Sequence, residues 1–188
     1  MRYMQEGGFQ NNPLMRLTLF LTLALLVGFW ATNVGMYFSR MNLRPTSVVA
    51  YYSGSEDDFR APRSAASMIE TTHMHLPTMG LLLLFLTHLV IFVPMPREAK
   101  VGVIATAFAS AILEEGSGWL VRFVSPSFAL LKVIGFVGLQ AAILFLIASL
   151  AWFLLTAARR QAAGHASAAR ERRTASLEEE GAVHATLE

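Results

Sequence analysis

The chain has 188 residues, of which 54% are hydrophobic and only 15% charged, with a formal charge of +2 and a mean hydropathy of +0.48. Soluble domains carry about 25% charged residues, and here no charge falls within residues 17–39, 71–96 or 133–158, runs of 23, 26 and 26 residues. Each run can cross a hydrocarbon layer of about 30 Å at about 1.5 Å per residue, so the composition excludes a nucleic-acid-binding protein, a soluble α/β enzyme and a disordered tail protein.

In chain order, residues 1–16 form a polar lead, with Pro13 placed to begin a helix. The first span covers about 14–38. It is too long for a signal-peptide core and runs into Thr32-Asn33-Val34-Gly35 instead of a small-residue cleavage site, so it reads as a retained membrane helix. Residues 39–72 are a polar outer loop with turn signals at Arg44-Pro45 and Ser53-Gly54-Ser55 and an acidic run at Glu56-Asp57-Asp58. The last part, 61–75, is expected as a short interfacial helix opening at Pro62 and running into the second span, 75–94, with a bend near Pro77.

Pro94-Met95-Pro96 closes that span, and a short connector holding Arg97, Glu98 and Lys100 makes the third, 101–123, its antiparallel neighbour. After Ser125-Pro126-Ser127 the fourth span covers 128–157, with Lys132 its one charge. Residues 159–188 are rich in Ala, Arg and Glu without an apolar stripe and read as a solvated, partly helical tail. The expected fold is therefore an all-α integral membrane protein: a four-transmembrane-helix antiparallel bundle over 17–158, with a short interfacial helix before helix two and a polar C-terminal tail.

Four crossings put both termini on one side. The terminal side carries Arg2, Arg16, Arg97, Lys100, Arg159 and Arg160, the other Arg40, Arg44, Arg60, Arg63 and Arg122. The double arginine after the last span tips the balance towards cytoplasmic termini in a bacterial inner membrane. The basic residues sit at the edges of apolar runs and form no aromatic-interleaved patch, which again speaks against nucleic acid as a partner.

The chain has no cysteine, so it holds no iron–sulfur cluster, thiolate metal site or c-type haem. Ionisable groups inside a membrane are costly unless paired, and three sets stand out. Glu70 and His73, three residues apart, share a helix face, and with His75 they form a candidate metal set; a helix end meeting water and head groups explains the same residues. His73 and His88, fifteen residues apart, fall about 60° apart around a helix and about 22 Å apart along it. That pair on one helix is similar to the pattern of diheme membrane cytochromes b, which implies candidate b-type haem ligands at His73, His75 and His88. No second helix supplies partner histidines, since His165 and His184 lie in the tail, so haem ligation requires a homodimer, other membrane subunits or an axial Met. A histidine hydrogen-bonded across helices is the alternative for His88.

The third set is Glu114 and Glu115 on helix three with Lys132 on helix four and Arg122 near the turn. Depths of about 12 Å for Glu115 and 8 Å for Lys132 from that turn make a pair between Lys132 and one of the glutamates feasible. Consecutive residues diverge by about 100°, so both glutamates cannot reach Lys132, and the other needs water, a metal, a proton or Asn33. A carboxyl so placed is a candidate for proton handling beside a quinone, with Arg122 and Lys132 as contacts to quinone or haem propionates; an internal salt bridge that fixes helix packing is the structural alternative. Small residues at Gly80, Gly116-Ser117-Gly118, Gly135 and Gly138 allow close helix approach beside these charges.

No phosphate-binding loop, hydrolase elbow, metalloprotease or dinucleotide fingerprint occurs. The leading expectation is a small integral membrane subunit of an electron-transfer complex, binding b-type haem, quinone or a metal. A non-catalytic accessory or assembly subunit is the alternative, and a transporter or channel component the third. Membrane lipid and either a second copy or other membrane subunits are the expected partners.

Overall fold

The computed structural model describes residues 12–56 and 59–185, so most of the expected polar lead and Asp57-Asp58 of the outer loop lie outside the described residues. Every element is helical: α1 Pro13–Arg40, α2 Pro45–Ser53, α3 Ala65–Val90, α4 Arg97–Phe123, a 3₁₀ turn Pro126–Phe128, and α5 Ala129–Ala185. Three of these are long and apolar enough to cross a membrane, at Pro13–Arg40, Ala65–Val90 and Pro126–Gly164, with mean hydropathies of 1.9, 1.4 and 2.4. The chain divides into two compact units, Thr22–Leu150 and the paired ends Met1–Leu21 with Ala151–Glu188.

In the unit of paired ends, α1 begins where the Asn12 side chain accepts hydrogen bonds from the backbone of Leu14 (3.0 Å) and Met15 (3.3 Å), occupying donors that a helix start leaves free. Arg16 donates to the Gln161 side chain at 2.7 Å, and Leu19 and Leu154 are buried. The segment after Arg159, expected as a partly helical tail, is helical as far as Ala185, because Ala, Arg and Glu are strong helix formers even without an apolar stripe.

In Thr22–Leu150, α2 is a helix that the expected loop did not contain. Pro45 starts it, and the preceding turn is fixed by Asn42 accepting from the Arg44 backbone at 2.8 Å and donating its own backbone N–H to the Ser47 hydroxyl at 3.0 Å. Gly54 ends it at φ 88°, where a Cβ would stand 2.7 Å from the Arg60 carbonyl oxygen. The chain then doubles back, with Ser55 paired to Arg60 and the Arg63 N–H donating to the Tyr52 carbonyl at 3.0 Å. Residues 61–64 are therefore extended, and α3 starts at Ala65 rather than at 61, capped by the Ser64 side chain. α3 runs unbroken through Pro77 and ends at Val90, short of the expected 94, in a turn whose Ile91 carbonyl accepts from Lys100 at 2.6 Å. Arg97, Glu98 and Lys100, expected in a connector, form the first turn of α4, where Glu98 complements the helix dipole.

The inward side of α4 is built of small residues and one carboxylate: Ala107, Ser110, Ala111, Glu114, Ser117, Gly118 and Val121. That composition lets α5 come close. A Cβ at Gly135 would lie 2.6 Å from the Glu114 backbone nitrogen, and one at Gly138 would lie 2.5 Å from the Ser110 hydroxyl. Contacts at 114 with 135 and 110 with 138 show that α4 and α5 run in opposite directions. On the other side of α5, Phe136 stacks on Tyr37 of α1 at 3.6 Å between centroids, and Trp30 donates to the Gln140 carbonyl at 3.1 Å. Tyr37, Met41, Val48, Val121, Ala129 and Phe136 make one core cluster joining α1, α2, α4 and α5. Leu25, Val27, Leu81, Leu84, Ile112 and Leu144 point outwards uncovered, an apolar exterior that suits lipid rather than water.

Candidate functional site

The two glutamates of α4 separate into two networks. Lys132 on α5 is 5% exposed; its ammonium pairs with the Glu114 carboxylate and donates at 2.6 Å to the Glu114 backbone carbonyl. The ammonium also stands over the Tyr52 ring, 5.7 Å from its centroid. Tyr52 in turn packs on Gly118, where a Cβ would meet the ring at 2.8 Å. Burial pushes the Tyr52 phenol above its usual 10, against the opposing pull of the Lys132 charge. Of the two glutamates that could pair with Lys132, Glu114 does so, because the small-residue contact at Gly135 turns the Glu114 side of α4 towards α5.

Glu115 turns the other way, to α3. One oxygen accepts from the Thr72 hydroxyl and the other lies 3.1 Å from His75 Nδ1. Trp119, one turn further along α4, donates to the Thr72 hydroxyl at 3.0 Å. Arg122 lies another turn along; it donates from Nε to the Arg63 carbonyl at 2.9 Å. Arg63 itself donates to the Tyr51 hydroxyl at 3.1 Å and lies over that ring, 5.3 Å from its centroid. Arg122 therefore braces the start of α3 and reaches neither glutamate.

The structure does not assemble the expected metal set of Glu70, His73 and His75. Glu70 and His73 are exposed while His75 faces Glu115, because positions 70 and 75 point about 140° apart on one helix, and 73 and 75 about 160°. Among the described residues no group of three His, Asp or Glu could hold a metal ion. His88 is also exposed, its ring meeting Phe92 edge-on at 6.0 Å. All histidines with described side chains, His73, His75 and His88, lie on α3.

Two spaces surround the Glu115 network. A polar cavity of about 40 Å³ is lined by Tyr51, Tyr52, Arg63, Thr72, His75, Glu115 and Trp119 among others, enough for roughly three or four waters at about 10–15 Å³ each. Beside it a cleft of about 210 Å³ has Phe29, Asn33 and Met36 of α1 on one wall and Met74, Thr78, Met79 and Leu82 of α3 on the other. Its floor is Phe136, Leu139 and Ile143 of α5, and its polar end holds His75, Lys132, Glu114, Tyr51, Tyr52 and Arg40. His75 lines both spaces.

Residues 42–161 match the model of a family described as the Aq_1264_TM transmembrane helical domain. The chain belongs to that family. It is a membrane protein, in agreement with its three apolar helices. The Aq_1264_TM segment contains every residue named around the polar cavity, whereas the α1 wall of the cleft precedes it. No curated protein and no solved structure matches the chain.

Tyr51, Tyr52, Thr72 and Trp119 are site residues that sequence reasoning missed. Thr72 with His75 and Glu115 with Trp119 have the three- and four-residue spacings of one helix face. That signal was present, but uncharged polar side chains near a helix end do not stand out without their partners.

Proposed function

We propose that this protein is a small integral membrane subunit that holds a quinone-type lipophile in the cleft between α1 and α3, as part of an electron-transfer complex of a bacterial inner membrane. The observation that carries this reading is the composition of the cleft. Its walls and floor are mainly apolar, Asn33 and Thr78 being the polar exceptions, and the charged side chains gather at one end, an arrangement that orients a ligand with a polar head and an apolar body. At about 210 Å³ it is smaller than the roughly 300–1,000 Å³ of pockets that enclose a drug-sized molecule. It suits a single ring whose chain leaves between the helices into lipid. Lys132 is committed to Glu114, which leaves His75, Tyr51 and Arg40 at the polar end to meet the ring.

In this reading α4 is a fourth crossing. Its 27 residues span about 40 Å. The charges that lower its apolar character, Glu114 and Glu115, are both directed to partners on neighbouring helices, which removes much of their cost in lipid. With four crossings both termini are cytoplasmic, and Arg159-Arg160 anchor the last helix there.

The test is to purify the protein in mild detergent, record its absorption spectrum and quantify quinones in an organic extract. About one quinone per chain, with no Soret band, is expected. An extract free of quinone from a folded protein, or a stoichiometric Soret band, overturns the reading.

A further inference from the structure

We propose that the outward face of α3 is the seam of a homodimer, on which Glu70 of each copy pairs with His73 of the other. Glu70, His73, Pro77, Gly80, Leu84 and His88 are all exposed and fall within an arc of about 80° around the helix. Their steps of three and four residues are those of a helix packed along its length against another. Met68 and Leu86, buried within the chain, lie on the opposite side of α3, as does His75, so a neighbour on the outward face leaves the cleft open. Three features of this face are out of place against lipid. His73 and His88 are about 22 Å apart along α3, so a hydrocarbon layer of about 30 Å encloses at least one of them, and ionisable groups there are costly unless paired. His75, Glu114, Glu115 and Lys132 are paired, whereas among the described residues neither the Glu70 nor the His73 side chain has a hydrogen bond or ion pair. Pro77 brings no N–H to the His73 carbonyl four residues back, so a backbone acceptor beside this face lacks its α-helical donor, a lack that neighbouring helices make good in membranes. Gly118, Gly135 and Gly138 each admit a group of the same chain, but a Cβ at Gly80 would meet nothing within 4 Å; the room it leaves faces outside the chain.

The face is complementary to itself, which selects a second copy over a different protein. About a twofold axis along the membrane normal the two α3 helices run parallel, and if residue i of one copy meets residue j of the other, j also meets i. A side chain in one layer of a parallel seam packs among the same layer and the adjacent layer of its neighbour. Glu70 therefore reaches His73 of the second copy, and the axis repeats the pair, so that an acid and a base of each chain are both satisfied. His88 meets its own equivalent; two neutral imidazoles, each with one donor and one acceptor nitrogen, complete a hydrogen bond between them. Gly80 lies midway between these polar layers, where the missing side chain lets the two backbones approach.

The chain has no cysteine, so disulfide linking reads the seam directly. Leu84→Cys and, as a control on the exposed side of α4, Ile112→Cys are reconstituted separately into liposomes at low protein density and oxidised with copper phenanthroline. Leu84→Cys is expected to give a product of twice the 20.7 kDa chain, and Ile112→Cys to stay monomeric. Added to Leu84→Cys, His73→Glu sets carboxylate against carboxylate and is expected to abolish the product; exchanging the pair, with Glu70→His alongside His73→Glu, is expected to restore it. Gly80→Leu, whose side chain has room within the chain but not in the seam, is expected to abolish it as well. An unchanged far-UV circular dichroism spectrum shows that each variant keeps its helices. No product from Leu84→Cys overturns the second copy as the occupant of this face. Equal product from Leu84→Cys and Ile112→Cys overturns it too, because random collision has no preferred face, and a product that survives His73→Glu overturns the Glu70–His73 pairing.

Discussion

Glu114 and Glu115 are neighbours in sequence with different tasks, because successive helical side chains diverge by about 100°. Glu114 is buried and fixed to Lys132. Its other carboxylate oxygen has no hydrogen-bond partner, so the pair locks α4 to α5 and has no donor to spare. Lys132→Met strips the charge partner from a buried carboxylate and is expected to cost about 3–5 kcal/mol, read as a lower midpoint of thermal unfolding in detergent. Adding Glu114→Gln to that variant is expected to recover most of the loss, since the remaining partner is no longer charged. An unchanged midpoint in the single variant contradicts the lock. The sequence narrowed these residues to one cluster, yet could not choose the glutamate for Lys132. The choice depends on how far α4 turns about its axis, which the contacts of Gly135 and Gly138 with α4 decide.

At the scale of elements, three uncharged runs announced three helices, and the membrane class followed from them. What could not be read was the boundary detail, where one hydrogen bond outweighs propensity. Ser64 starts α3 later than Pro62 invited, and α2 forms in a nine-residue segment too short to show periodicity. Pro77, expected to bend its helix, lies within an unbroken α3. The crossing of α4 is open to a direct check because the chain has no cysteine of its own. Single cysteines at Ser55, Ala99 and Ser127 are expected to label with a membrane-impermeant maleimide so that Ser55 and Ser127 report one side and Ala99 the other. Labelling of Ala99 and Ser127 from the same side contradicts a fourth crossing.

At the scale of the molecule, the family match and the fold describe a membrane domain whose polar groups are concentrated beside one cleft. The histidines that drew attention for their spacing, His73 and His88, are exposed on α3. His75, distinguished only as a neighbour of His73, is the one brought to a carboxylate. Spacing along a helix reveals which residues share a face, but which face turns inward is settled by the other helices. The central claim, that the cleft is a binding site, is tested most directly by equilibrium titration of decylubiquinone against the wild type and Met79→Trp in nanodiscs, with Met95→Trp as a control outside the cleft. Saturable binding of one molecule per chain that Met95→Trp retains and Met79→Trp loses is the predicted result; wild-type uptake no greater than that of empty nanodiscs, or undiminished in Met79→Trp, contradicts it.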